Sequence, residues 1–206
     1  MATVTETRVT GEAEETPYPI TSDVYFDMVE RGLIPSARRV FLWGGRLYEK
    51  MAKSKAHSAV QNAFIQALTR RLPPGLFVGS ENPVRLDATH VPLPDLVVVR
   101  GNPLDYFDAR YPEGRDVVLV VEVSVSSLTA DLGPRLFRYA AALPLAAYVV
   151  ADVSHRQLLI HTAPRPADDP RGGGYDERSV VRPGESLRLR LEAADLDPIP
   201  YEELMR

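Results

Sequence analysis

The chain has 206 residues, 45% of them hydrophobic, a formal net charge of −4 and no cysteine. That length closes one sizeable core without requiring two, and the missing cysteine excludes disulfides, thiolate metal sites and cysteine nucleophiles. An acidic molecule repels a polyanion overall, so any contact with nucleic acid must come from a local basic patch.

Residues 1–16 mix Thr, Glu, Val and Gly without period and read as a frayed tail, leaving residues 17–206 as one domain. The opening lacks the apolar stretch of a signal peptide or membrane helix, so a soluble, cytoplasmic protein with no membrane association is expected. Ser22 is a good N-cap for a short helix that Gly32 stops. Two β-like runs, 39–43 and 46–51, flank Gly44 and Gly45, a pair suited to the positive φ of a hairpin turn. Ser54 can cap a longer helix to about residue 72, with Val60, Phe64, Leu68 and Leu72 at every fourth position.

Residues 76–86, 93–99 and 117–125 then read as strands, the last two with so few polar breaks that both faces should be covered. Pro134 suits the first turn of a helix reaching Leu143, with Leu136, Tyr139 and Leu143 on one stripe. Segments 146–151 and 157–162 look like two more strands. A loop over 163–176 precedes two further edge strands at 177–181 and 187–191. The order predicts an α/β (α+β) domain with a mixed sheet rather than a doubly wound parallel one.

If the runs around Leu96 and Val121 pair antiparallel with Arg100 facing Val117, the same register sets Asp95 opposite Glu122. Two carboxylates opposed at that distance repel, and a hard divalent cation with oxygen ligands would compensate them. The plain alternative is a pair of charges at strand ends, reaching solvent or an arginine.

Leu93-Pro-Asp-Leu-Val-Val-Val-Arg followed by Leu119-Val-Val-Glu-Val-Ser resembles the PD…E-x-K core of the restriction-endonuclease-like (PD-(D/E)XK) nuclease superfamily. Gly45-Arg-Leu-Tyr-Glu-Lys-Met-Ala, Lys55-Ala-His-Ser, Glu122-Val-Ser-Val-Ser-Ser and Asp131-Leu-Gly-Pro-Arg-Leu-Phe-Arg-Tyr-Ala make the chain similar to the Uma-type family of restriction endonuclease-like proteins over about residues 22–162. The resemblance implies a restriction-endonuclease-like core, a mixed β-sheet flanked by helices, with an extra N-terminal hairpin and C-terminal strands. It further implies a metal-dependent endonuclease hydrolysing DNA phosphodiester bonds. Asp95 and Glu122 would ligate Mg²⁺ or Mn²⁺, joined by the backbone carbonyl of Val123.

The motif lysine is absent, with Ser124 in its place; the resemblance puts a substitute cation on the following helix, at Arg135. Arginine stabilises phosphate charge but is a poor general base, and an ion pair of Arg135 with Asp131 is the plain reading. Phe41 and Gly44 also depart from the family pattern, which has an acidic residue at the first and Asp or Asn near the second. His57 shares the inward face of its helix and matches the Lys-x-His-Ser block; it orients a phosphate, shuttles a proton, or is a core histidine capping a buried carbonyl. Ser124, Glu49 and Glu81 are accessory candidates, the two glutamates on half-exposed strands. His90, His155 and His161 show no ligand spacing and fall to turns and strand faces.

Arg70, Arg71, Lys53 and Lys55 give one helix basic ends, for a DNA backbone or simply for solvent. Gly172-Gly-Gly-Tyr reads as a loop. DNA is the partner expected, with branched DNA or RNA served by the same site, and cutting both strands would call for a homodimer. The competing expectation is a catalytically impaired nuclease-fold protein, kept as a DNA-binding or protein-interaction module.

Overall fold

A computed structural model of the chain describes residues 16–35, 38–106, 110–143, 147–169, 173–192 and 194–206. The expected frayed tail lies outside them except for its last residue, as does the start of the 172–175 loop. Helix α1 (Ser22–Glu30) is capped one residue earlier than expected, because the Thr21 hydroxyl accepts from Val24 N while Ser22 is buried and accepts from Arg85 Nη1 at 3.1 Å. Strands β1 (Val40–Trp43) and β2 (Arg46–Glu49) form the expected hairpin. Trp43 faces Arg46 across Gly44 and Gly45, whose φ of 58° and 74° give the two-residue turn its twist. This hairpin is its own two-stranded sheet, fastened through Leu42 and Val91, which exchange backbone hydrogen bonds of 3.1 and 2.9 Å.

Helix α2 (Lys55–Thr69) is capped by the Ser54 hydroxyl, which accepts from His57 N at 3.1 Å. It stops three residues short of the predicted end, in a tight turn on Leu68 before the prolines. Strand β3 covers only Leu76–Gly79 rather than 76–86. The chain bends away at Glu81, whose φ is 53°, so Glu81 is not on a strand as expected. Strands β4 (Leu96–Arg100) and β5 (Val117–Ser124) are antiparallel neighbours. Leu96 faces Val121 as predicted, yet a bulge between Val98 and Val99 sets Val99 opposite Val117, where Arg100 was expected.

The helix expected from Pro134 is interrupted. A single turn, α3 (Leu128–Ala130), runs into a π-helical turn at Asp131–Arg135 that holds Pro134 and a non-helical Gly133, and α4 (Leu136–Ala142) follows. Strands β6 (Ala147–Asp152), β7 (Gln157–Arg165) and β8 (Gly174–Val181) complete a six-stranded mixed sheet in the order β3-β4-β5-β6-β7-β8, with β5 and β6 parallel and every other pair antiparallel. Strands β7 and β8 run into the segment predicted as a 163–176 loop and shorten it. The predicted strand at 187–191 is instead two short pieces, β9 (Ser186–Leu187) and β10 (Arg190–Leu191). They pair with β12 (Ile199–Pro200) and β11 (Ala194–Asp195) before helix α5 (Tyr201–Leu204).

Helices cover both faces, which is why the central strands tolerate near-continuous Val and Leu. On one face Val60, Phe64 and Leu68 of α2 pack with Leu96, Val98, Val121 and Val123, joined by Leu187, Tyr201 and Leu204 from the C-terminal segment. On the other, Leu136, Tyr139 and Leu143 pack with Val97, Val99, Val120 and Val150. Among the described residues no helix is long and apolar enough to cross a membrane.

Candidate active site

Alternation along β5 sends Val121 and Val123 to the α2 face and therefore Glu122 and Ser124 to the α4 face. Since Leu96 faces Val121, Asp95 and Glu122 are the next pair out, at the end of the sheet where β4 begins. Both are buried, at 3% and 2% exposure, and Asp95 N donates to Glu122 Oε2 at 3.2 Å. Burying two carboxylates costs heavily unless each is compensated by hydrogen bonds or a countercharge.

The compensation comes from four separate segments. Lys50, just past β2, places Nζ 2.6 Å from Asp95 Oδ1, 2.8 Å from the Leu93 carbonyl and 4.0 Å from Glu122 Oε2. His57, in the first turn of α2, sets Nε2 3.0 Å from Asp95 Oδ2, which also accepts from Val123 N at 2.8 Å. Tyr139 of α4 donates its hydroxyl to Glu122 Oε1 at 3.0 Å. Gln61, buried on α2, donates to the Asp95 carbonyl at 2.8 Å and to Ser80 Oγ at 2.9 Å, and so fixes the backbone that carries Asp95.

These contacts pull the two acids in opposite directions. Burial would raise Asp95, but the His57 hydrogen bond and the Lys50 ammonium outweigh it and hold the carboxyl below its ordinary range. Burial raises Glu122, with the Asp95 charge adding to the effect and Lys50 only partly offsetting it. Burial and the Glu122 carboxylate together push the Tyr139 phenol up, so it stays a donor.

A cleft of about 340 Å³ opens beside this cluster, lined among others by Arg39, Phe41, Lys50, His57, Asp95 and Arg135. Arg135 reaches it but is committed on one side, Nη1 lying 2.6 Å from Asp131 Oδ1. Asp131 is itself buried and accepts from Ser127 Oγ, which lies 3.4 Å from the hydroxyl of buried Ser124. Burial works against the Arg135 charge, yet Glu122 and Asp131 raise it, so the guanidinium stays protonated.

The other sequence candidates make their side-chain contacts away from the carboxylate pair. Glu81 pairs with Arg39 and Lys53, each at 2.8 Å, while Glu49 lines the cleft but is exposed, 3.5 Å from Arg38. Arg70 and Arg71 are not free basic ends: both pair with Glu203 of α5, Arg71 Nη2 at 2.8 Å. His90 sits 2.9 Å from Asp87 in a turn and His155 2.7 Å from Asp152, while His161 is buried on β7. Sequence reasoning missed Lys50, Gln61 and Tyr139. Lys50 stood inside a quoted block without a role, Gln61 is a polar residue on an apolar helix face, and Tyr139 looked like core alone.

The model of the Uma2 family, described as putative restriction endonuclease, matches residues 25–197. The chain belongs to the Uma2 family. A search of curated proteins finds no match. Among solved structures, a putative nuclease from Anabaena variabilis ATCC 29413 aligns with a TM-score of 0.60 at 13% identity, covering 90% of this chain and 97% of that one. At that identity the likeness shows the fold alone.

The nuclease fold implies a divalent cation. Among the described residues no three His, Asp or Glu side chains are grouped for a metal, and a transition metal with imidazole ligands does not suit this Uma2 cleft. Mg²⁺ needs only one or two carboxylates, with water and substrate oxygens filling the rest. Two carboxylate oxygens and the Leu93 carbonyl already converge on one positive group, the Lys50 ammonium. That all-oxygen donor set fits a hard cation.

Proposed function

We propose that the cleft is the active centre of an endonuclease that requires Mg²⁺ or Mn²⁺ and hydrolyses DNA phosphodiester bonds in the cytoplasm. The observation that carries this reading is the convergence of Asp95 Oδ1 and Glu122 Oε2 on a single cationic group, 2.6 and 4.0 Å away. Asp95 and Glu122 would hold the metal, with the Val123 carbonyl as a further oxygen. A bound divalent ion supplies Lewis acidity at the scissile phosphate and acidifies an attacking water.

The remaining residues have separable tasks. His57 and Gln61 fix Asp95, through its side chain and its backbone respectively. Tyr139 fixes the far oxygen of Glu122. Arg135, permanently charged and lining the cleft, stabilises negative charge on a phosphate and does not serve as a base. A duplex cut on both strands by a chain with one such cleft calls for two copies, so a homodimer on DNA belongs to the proposal.

Calorimetry with Mn²⁺ should show binding to the wild type that is lost in Asp95→Ala. Supercoiled plasmid should be nicked by the wild type and left intact by Glu122→Ala. Neither binding nor nicking would end this reading. The second reading, a DNA-binding or protein-interaction module without cleavage, draws on Ser124 at the motif-lysine position and on the tie between Arg135 and Asp131. Retention of DNA in a filter-binding assay with no cleavage in Mg²⁺ or Mn²⁺ selects it, and the same assays with RNA and branched DNA define the substrate.

A further inference from the structure

We infer that Lys50 is an exchangeable counter-ion, holding the place between Asp95 and Glu122 and moving into the cleft when a divalent cation is bound. The inference rests on the proposed cation site and concerns what this chain's own residue does there.

The ammonium matches the charge of the site better than its geometry. Lys50 Nζ has three donors and uses two, on Asp95 Oδ1 at 2.6 Å and the Leu93 carbonyl at 2.8 Å. Glu122 Oε2, at 4.0 Å, is too far for a hydrogen bond. One positive charge thus faces two buried carboxylates and touches only one of them. A divalent ion makes oxygen contacts at roughly 2.0–2.6 Å and brings twice the charge, so the same oxygens favour it over the ammonium.

Lys50 is also free to leave. It stands one residue beyond the end of β2, outside any helix or strand, on a flexible four-carbon stem. Its side chain lines the open cleft with Arg135 and Phe41, and its backbone N–H stays fixed by the Arg39 carbonyl at 2.8 Å. The ammonium can therefore swing while its main chain holds still, and its new position adds to Arg135 a second cation facing a bound phosphate.

Two measurements on the full chain test this. Calorimetric titration with Mn²⁺ should give about tenfold or tighter binding in Lys50→Met than in the wild type, since the competing charge is gone. Equal or weaker binding overturns the inference, and heat from neither protein overturns the cation site and the inference with it. Because Lys50→Met removes a countercharge from two buried acids and can fail to fold, the wild type is probed as well. Acylation by an N-hydroxysuccinimide ester at fixed pH, read by peptide mass spectrometry, should label Lys50 slowly relative to exposed Lys55. The ratio should rise several-fold at a Mg²⁺ concentration that calorimetry shows to be saturating. An unchanged ratio at saturation means that Lys50 stays put, and sinks the inference while leaving the cation site standing.

Discussion

Tyr139 shows how much one hydroxyl can matter when, among the described residues, it is the sole side-chain donor to a buried carboxylate oxygen. Its ring is core on the α4 face, but its OH is the partner of Glu122 Oε1. Tyr139→Phe keeps the packing and strands that oxygen, so it should cost about 1–3 kcal/mol, the price of an unmet buried acceptor. Urea unfolding curves check this, and a loss under about 0.5 kcal/mol would mean that the bond is not maintained. At this scale the sequence was half legible. Asp95 and Glu122 stood out because each is an acid in an otherwise apolar run, a local signal. Lys50 did not, because its partner Asp95 lies 45 residues away and lysines on hairpin ends are ordinarily solvated.

At the scale of elements, pattern and capping read well where the chain decides its own geometry. Ser54 and the four-residue spacing of Val60, Phe64 and Leu68 specify α2, and paired glycines specify the hairpin. The misreadings fall where side-chain contacts outside the strands shape the backbone. The bulge in β4 and β5 follows a turn in which buried Asp116 is held by Arg110 at 2.5 and 2.9 Å and by Glu113 N, an arrangement that strand propensity does not encode. The hairpin offers a sharp comparison between its two glycines. A Cβ on Gly45 would lie 2.6 Å from Pro19 Cβ, whereas one on Gly44 meets nothing closer than 4.0 Å. Gly45→Ala should therefore cost more than the roughly 1–2 kcal/mol of a left-handed alanine, and Gly44→Asn should cost less than that. Thermal melts of the two variants test the order, and equal melting temperatures would contradict it.

Across the whole molecule, acid sensitivity should have a source remote from the cleft. His161 on β7 lies among Tyr148 and Tyr175, faces Arg178 across the sheet, and is held down to about 4 by burial and by that arginine. The unfolded imidazole takes up its proton near 6.5, so between pH 6.5 and 4 the unfolded chain binds more protons and stability falls as pH drops. The slope from this one group reaches about 1.4 kcal/mol per pH unit. His161→Phe should flatten the stability profile over that window in guanidinium titrations, and an unaltered slope would assign the effect elsewhere. The layered architecture, with helices on both faces of a mixed sheet, was readable from the order of elements. The ion pairs of Arg70 and Arg71 with Glu203 were not, because that contact spans more than a hundred residues.

The cluster around Asp95 draws on Lys50, His57, Glu122 and Tyr139, and no two neighbouring elements suffice to make it. A ribosome delivers these groups in order, and the acids meet their full set of partners only after α4 has emerged. The last turn of the chain, α5, then closes over α2, the helix bearing His57. Whatever chemistry the cleft performs, a copy that stops short of Tyr139 lacks the means to perform it.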